Sequence, residues 1–249
     1  MSIFNTGLIY ELQFTEKWQI FTTQIIFIVL SIAVSYLLGS INSAIIVSKA
    51  LYKDDIRKYG SGNAGMTNIL RTYGKGAAGL TLLGDVLKTA IAVTFTAFLF
   101  GFRYNHGISL NDGYCYMAGL FAVLGHVFPI YYGFRGGKGV LVTAAMALIL
   151  TPIPFLILIT LFIIIVAISR YVSLGSVTVA ILYPVVVNFY IKYMFASNPP
   201  GILMLCLIIL AVFIVWCHRE NLVRISNRTE RKISIGGKKK KEDNEQEQK

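Results

Sequence analysis

Charge is what this chain has least of. Asp, Glu, Lys and Arg make up 14% of its 249 residues, where a soluble domain carries about 25%. Acidic residues are the scarcer kind, 12 against 23 Lys and Arg, which leaves a net charge of +11. Cysteine is scarce too. Cys115, Cys206 and Cys217 form an odd set in or beside apolar runs. That count excludes a disulfide framework or a metal knuckle and leaves packing thiols. No metal, no cofactor and no nucleic-acid partner is expected. No cleavable signal peptide stands out either. The first nineteen residues are mixed, and no small-residue cleavage pattern follows a short apolar core.

Apolar length is what the chain has in excess. Hydrophobic residues reach 55% and mean hydropathy is +0.66. A soluble fold of this size would expose too much of that surface, so the bilayer is the expected solvent. Apolar runs cover 20–48 (broken at Gly39-Ser40), 79–102, 114–132, 140–168, 175–193 and 201–217. The fourth is interrupted by Thr151-Pro152-Ile153-Pro154, poor company for one straight helix.

Positive charge gives the orientation. Six Lys or Arg lie in 49–75, two in 133–139, one in 169–174 and ten in 218–249, 19 of the 23. The positive-inside rule places all four segments in the cytoplasm. The run 140–168 must then cross twice, through a break at Thr151–Pro154. The predicted fold is all-α: a polytopic seven-helix bundle, N-terminus outside and C-terminus cytoplasmic. One long tilted helix over 140–168 is the alternative, giving six spans. Residues 1–19 read as an external extension and 20–233 as a single transmembrane domain. Residues 234–249 read as a disordered, charged cytoplasmic tail.

The basic connections are unusual for linkers. Gly60, Gly62 and Gly65 spell G-x-G-x-x-G, but Asp85 sits in an apolar helical run and no βαβ unit surrounds it. That excludes a dinucleotide fingerprint. Two readings stand side by side. The loop is a flexible turn before a capped helix, or its backbone N–H groups cradle an anion with Ser61, Asn63, Thr67, Asn68 and Arg71 around it. Gly136-Gly137-Lys138-Gly139 opens the next helix. Lys138 at a helix N-terminus is unfavourable unless an anion joins it, or unless it reaches for the membrane edge. This is no Walker A loop, because Tyr132 and Gly139 stand at its first glycine and Ser/Thr positions.

Ser173 reads as a helix cap, or as a site hydroxyl beside Arg170. His218 and Asn221 share a helix face at the end of the last span, while Glu220 points elsewhere and suits a nearby arginine. His126 reads first as a helix-end histidine. Asp85 and Lys88, three apart inside a span, form a structural ion pair or belong to a site. Ser40 belongs to a run of small polar residues that permits close helix packing.

Five elements in order resemble one family, the bacterial acyl-phosphate:glycerol-3-phosphate acyltransferases (PlsY family). They are Gly39-Ser-Ile-Asn-Ser, Gly60-Ser-Gly-Asn-Ala-Gly-Met-Thr-Asn with Arg71, Gly125-His with Gly136-Gly-Lys-Gly139, Arg170-Tyr-Val-Ser-Leu, and His218-Arg-Glu-Asn221. They cover about residues 28 to 231. Asn42 and Gly175 are the departures, where proline or threonine and alanine are frequent. The resemblance implies a seven-helix fold in a bacterial plasma membrane. It also implies acyl phosphate and glycerol 3-phosphate as substrates, and interplay with an acyl-phosphate-producing enzyme. It implies Ser61, Arg71, Lys138, His218 and Asn221 as catalytic residues. Phosphate contacts are implied for Gly60, Gly62, Asn63, Thr67, Asn68, Gly136, Gly137, Gly139 and Ser173. Supporting roles fall to Ser40, Asp85, Lys88, His126 and Glu220.

A transporter of phosphate or a sugar or glycerol phosphate is the rival class. Transporters hold substrate at the midplane between internal repeats, whereas here the basic residues gather at one face. A CDP-alcohol phosphotransferase needs an aspartate-rich metal helix, which is missing. An H-x4-D acyltransferase fails because Asn111, Tyr131 and Val223 stand five after His106, His126 and His218.

Overall fold

The structure, a computed structural model, describes residues 7–12, 15–101 and 110–233. The charged tail and part of the N-terminal extension lie outside the described residues, as does His106. Every regular element described is helical. In chain order these are α1 (Leu8–Glu11), α2 (Lys17–Ser40), α3 (Ser43–Tyr52), α4 (Met66–Tyr73), α5 (Lys75–Phe100) and α6 (Leu110–Val127). There follow α7 (Val140–Leu150), α8 (Pro152–Ser169), α9 (Val172–Met194), α10 (Gly201–Cys217) and α11 (Arg219–Ser226). The two longest basic connections also contain single 3-10 turns at Ile56–Lys58 and Ile130–Tyr132.

The first apolar run bends at Ile41-Asn42. Asn42 restarts the helix: its side-chain oxygen accepts from the Ile45 amide at 3.0 Å, the usual N-cap bond. The fourth run breaks at Thr151 alone, giving helices of 11 and 18 residues. The sequence suggested a four-residue break over Thr151–Pro154. The difference is physical. Pro152 at the first helical position lacks only an N–H that would have no partner there, so both prolines fit inside the first turn of α8.

Five described segments are long and apolar enough to span a bilayer: α2 with α3, α5, the α6 segment, α8 and α9. α10 joins them if counted with α11, which leaves it at a 52° bend, and α7 is a shorter apolar helix.

α6 is the central helix, packed by α2, α5, α7 and α10. Small residues bring α2 onto it. A Cβ at Gly39 would run into the Ala122 carbonyl, and one at Gly125 into that of Tyr36. Tyr116, Val123, Met146, Leu207 and Ile214 fill the core beside it. α8 is the opposite case: Leu156, Ile157, Ile163 and Ile168 are exposed along it. Such a surface suits lipid rather than water.

Where α2 meets α3, a buried ionic cluster secures the break. Lys88 Nζ reaches the Ile41 carbonyl at 2.9 Å, Asp85 Oδ1 at 2.8 Å and His126 Nδ1 at 3.0 Å. Its three donors are thereby used. Ser43 Oγ donates to Asp85 Oδ1 at 3.0 Å. The helix break thus leaves a carbonyl that Lys88 satisfies inside the bundle, as buried charge requires.

Candidate functional site

The site is built where two glycine-rich loops meet the ends of α9, α10 and α11. In the first loop, Asn68 is the organiser. Its Nδ2 donates to the carbonyls of Tyr59 (2.9 Å), Asn63 (3.1 Å) and Ile56 (3.3 Å), and its Oδ1 accepts from the Ser61 amide at 3.1 Å. Gly60 and Gly62 adopt positive φ, 60° and 70°, the conformation a side chain disfavours. The turn therefore presents Ser61 on an exposed crest, with the exposed Arg71 one helical turn past Thr67.

The second loop is tied to the first. Arg57 Nη1 donates to the carbonyls of Tyr132 (2.8 Å) and Arg135 (3.1 Å), and Asp55 holds its guanidinium from the other side at 2.7 Å. The amides of Gly136 and Gly137 turn inward, to the Val127 and His126 carbonyls, both at 3.1 Å. The end of α6 explains this: a helix leaves its last carbonyls without intrahelical donors, and the loop satisfies them. The expectation that these two N–H groups face an anion gives way to that capping duty. Gly137 lies flat on His126, where an added Cβ would strike Nε2. Lys138 then emerges half-buried at the mouth of α7, and its ammonium donates to Asn221 Oδ1.

The opposite wall comes from the C-terminal elements. Asn221 Nδ2 passes the chain on to Glu230 Oε1 at 2.6 Å, which also accepts from Ser173 Oγ at 2.8 Å. Arg224 Nε binds the other carboxylate oxygen at 2.8 Å. The strap 227–233 that carries Glu230 turns back at Arg228, with φ 58°. It is fastened by the Ile233 amide to the Arg170 carbonyl at 2.9 Å and by Arg71 to the Arg231 carbonyl at 3.4 Å. His218, the first residue beyond α10, is buried, and its Nδ1 lies 2.8 Å from the Ile214 carbonyl. That contact fixes the proton on Nδ1 and leaves Nε2 as an acceptor.

Electrostatics follow burial. Burial lowers the Lys138 pKa below the ordinary 10.5, and Arg224 lowers it further. Burial alone would raise the Glu230 pKa. Hydrogen bonds from Asn221, Arg224 and Ser173 outweigh it and hold the carboxyl below 4.5. Burial takes His218 down to about 4, so its imidazole is neutral near pH 7.

One cavity of about 790 Å³ joins these walls. Gly60, Ser61, Gly62, Asn63, Thr67, Asn68 and Arg71 line one side, and Lys138, Gly139, Ser173, His218, Glu220 and Asn221 the other. Asp85 and His126 also line it. Four expected residues do not line it: Ser40, whose hydroxyl donates to the Tyr36 carbonyl at 2.8 Å, Lys88, Gly136 and Gly137. Glu220 is exposed and pairs with Arg224 at 3.8 Å. Sequence reasoning missed Glu230, Arg224 and Arg57. The sequence signal for Glu230 is slight, one carboxylate amid arginines after a polar helix end.

Comparison with known proteins gives the family. The family model for glycerol-3-phosphate acyltransferase matches residues 29–228. The glycerol-3-phosphate acyltransferase of Geobacillus kaustophilus is 39% identical over 209 residues, 84% of this chain and 98% of that protein. Its Bacillus subtilis counterpart is 37% identical over 206 residues, 83% and 97% of the two chains. Among solved structures, the glycerol 3-phosphate form of PlsY (YgiH), an integral membrane glycerol 3-phosphate acyltransferase, superposes with a TM-score of 0.71 at 30% identity. That match covers 83% of this chain and 96% of the other. The chain therefore belongs to the glycerol-3-phosphate acyltransferase family, of the integral membrane PlsY kind.

Proposed function

We propose that this protein transfers an acyl group from acyl phosphate to the 1-hydroxyl of sn-glycerol 3-phosphate, yielding 1-acylglycerol 3-phosphate and inorganic phosphate. This would be the first acylation of phospholipid synthesis, carried out in the plasma membrane of a bacterium. The observation that carries the reading is the lining of the cavity described above. Its mouth holds Ser61, Arg71, Lys138, Ser173, His218 and Asn221, and its depth is apolar, with Leu141, Ala144, Leu158 and Phe162. A phosphorylated polyol suits the first part and a fatty acyl chain the second.

In the proposed reaction, the 1-hydroxyl oxygen attacks the acyl carbonyl carbon. The bond from that carbon to the phosphate oxygen breaks, and phosphate leaves with the electron pair. Acyl phosphate is already activated, so positioning and charge stabilisation supply most of the rate. Lys138, Arg71 and Ser61 hold phosphate oxygens, while Ser173 and Asn221 orient the acceptor. The hydroxyl proton goes to a substrate phosphate oxygen. A phosphate ester has a second pKa of about 6, a better base than an imidazole held near 4. His218 then serves as a hydrogen-bond acceptor that aligns the hydroxyl.

We further propose seven crossings, with α7 and α8 as separate passes, the N-terminus outside and the C-terminus cytoplasmic. The basic connections that build the site would all then meet at the cytoplasmic face.

Purified protein in detergent, given glycerol 3-phosphate with either acyl phosphate or acyl-CoA, tests the reading. Lysophosphatidic acid formed only from acyl phosphate supports it. Product from acyl-CoA alone overturns the donor. No product from either donor, with phosphate uptake in vesicles, favours a transporter.

A further inference from the structure

The apolar limb of the cavity has a floor. It runs between α7, α8 and α9, and residues with small side chains open it: Ala144 and Ala147 on α7, Ala180 on α9. Tyr183 ends it. The residue is 2% exposed, and its hydroxyl lies 3.3 Å from Thr151 Oγ1. Thr151 is itself fixed where α7 stops, its amide donating to the Ala147 carbonyl at 2.9 Å. The polar group at the bottom is thus satisfied within the protein and asks nothing of a ligand. The phenol is held as a plug between two helices.

The depth is informative. Ser173, at the phosphate end, and Tyr183 stand on the same helix ten residues apart. At a rise of 1.5 Å per residue that is about 15 Å. A bilayer's hydrocarbon core is about 30 Å thick, so one leaflet is about the same depth. The limb therefore matches the chain of a membrane acyl group, and its upper end is continuous with the Lys138–Asn221 wall where the reacting carbonyl would sit.

Resting on the donor reading above, we propose that Tyr183, held by Thr151, is the ruler that sets the longest acyl chain the enzyme transfers. The methyl end of the donor's chain meets the phenol ring while the carbonyl lies at the polar mouth. A longer chain leaves methylenes with no room, and its carbonyl stops short of the acceptor hydroxyl. One methylene too many in a closed apolar pocket changes specificity by roughly 10- to 200-fold.

The test is a homologous series from dodecanoyl to icosanoyl phosphate, with kcat/KM measured for wild type and three variants. Tyr183→Ala should move the optimum to longer chains, by about 10-fold in the ratio of the longest to the preferred donor. Ala180→Leu narrows the limb above the floor and should move the optimum the other way. Tyr183→Phe keeps the ring and should keep the wild-type profile. KM for glycerol 3-phosphate should hold in all three. Unchanged profiles in active Tyr183→Ala and Ala180→Leu proteins overturn the ruler, as does a Tyr183→Phe shift equal to that of Tyr183→Ala. Should Tyr183→Ala fail to fold, the direction of the Ala180→Leu shift decides alone. Should wild type reject every acyl phosphate and accept acyl-CoA, the donor reading falls, and the same variants with the acyl-CoA series still decide the ruler.

Discussion

Ser173 and Glu230, 57 residues apart, are joined by a 2.8 Å hydrogen bond from the serine hydroxyl to the carboxylate. Through it the start of α9 is fixed to the strap after α11, and Asn221 shares the same carboxylate oxygen. Glu230 is therefore the post on which two cavity-lining side chains hang. Glu230→Ala should lower the apparent unfolding midpoint in detergent by roughly 4–8 °C, from about 2 kcal/mol of lost charge-assisted hydrogen bonding. The pH dependence has a definite sign. The folded carboxyl titrates below its ordinary 4.5, so its contribution is present above pH 4.5 and is lost as pH falls through the folded value. Thermal melts of Glu230→Gln from neutral to acid pH should show a smaller acid loss than wild type.

Lys138 is a half-buried cation on the cavity wall that an anion would complete. Lys138→Met should reduce kcat/KM for glycerol 3-phosphate by about 100- to 1,000-fold, the usual loss for one preorganised donor. Its lowered pKa means that the ammonium is lost at lower pH than an ordinary lysine's 10.5. KM should accordingly rise along an alkaline limb that begins below that value. The limb should be missing from Lys138→Met.

His218 separates two routes for the proton. With its pKa near 4, it is neutral throughout the working range and has little basicity to offer. His218→Gln should still bind glycerol 3-phosphate and lose activity by less than about 100-fold, consistent with a lost alignment rather than a lost base. Its acid limb should stay where wild type has it, near the phosphate's pKa of about 6. Complete loss of turnover with binding intact would make His218 the base.

Gly137→Ala tests the loop. The new methyl would strike the His126 ring and sit 2.9 Å from the Ala64 carbonyl. The loop must shift, and Lys138 with it. A misplacement of about 1 Å in such a site costs about 100-fold. Expected is a fall in kcat/KM of that order with a normal melting profile for the bundle.

Much of this arrangement was legible in the sequence because it is periodic or chemically odd. Long apolar runs announce helices, and Pro152 announces the break between α7 and α8. Ser61, Arg71, Lys138, Ser173, His218 and Asn221 line one cavity. What stayed hidden depends on chain reversal and on accounting for backbone groups. Glu230 looks like a solvated charge until the turn at Arg228 folds it back. Arg57 looks like one more cytoplasmic arginine until its guanidinium bridges two loops. Gly136 and Gly137 look like anion donors until the unsatisfied carbonyls ending α6 are counted. Asn68 was read as a phosphate contact, yet its amide is occupied within its own loop.

The shortness of α7 has a consequence for how the two substrates meet. Eleven residues rise about 16 Å, roughly half the hydrocarbon thickness, so with α7 as the separate pass proposed above, the lysine that opens it would sit below the level of the headgroups. Lifting an acyl chain into water costs about 0.8 kcal/mol per methylene, on the order of 11 kcal/mol for fourteen of them. A sunken reaction centre avoids that climb. In the proposed reaction the small, water-borne partner would make the descent, and the greasy one would keep its own depth.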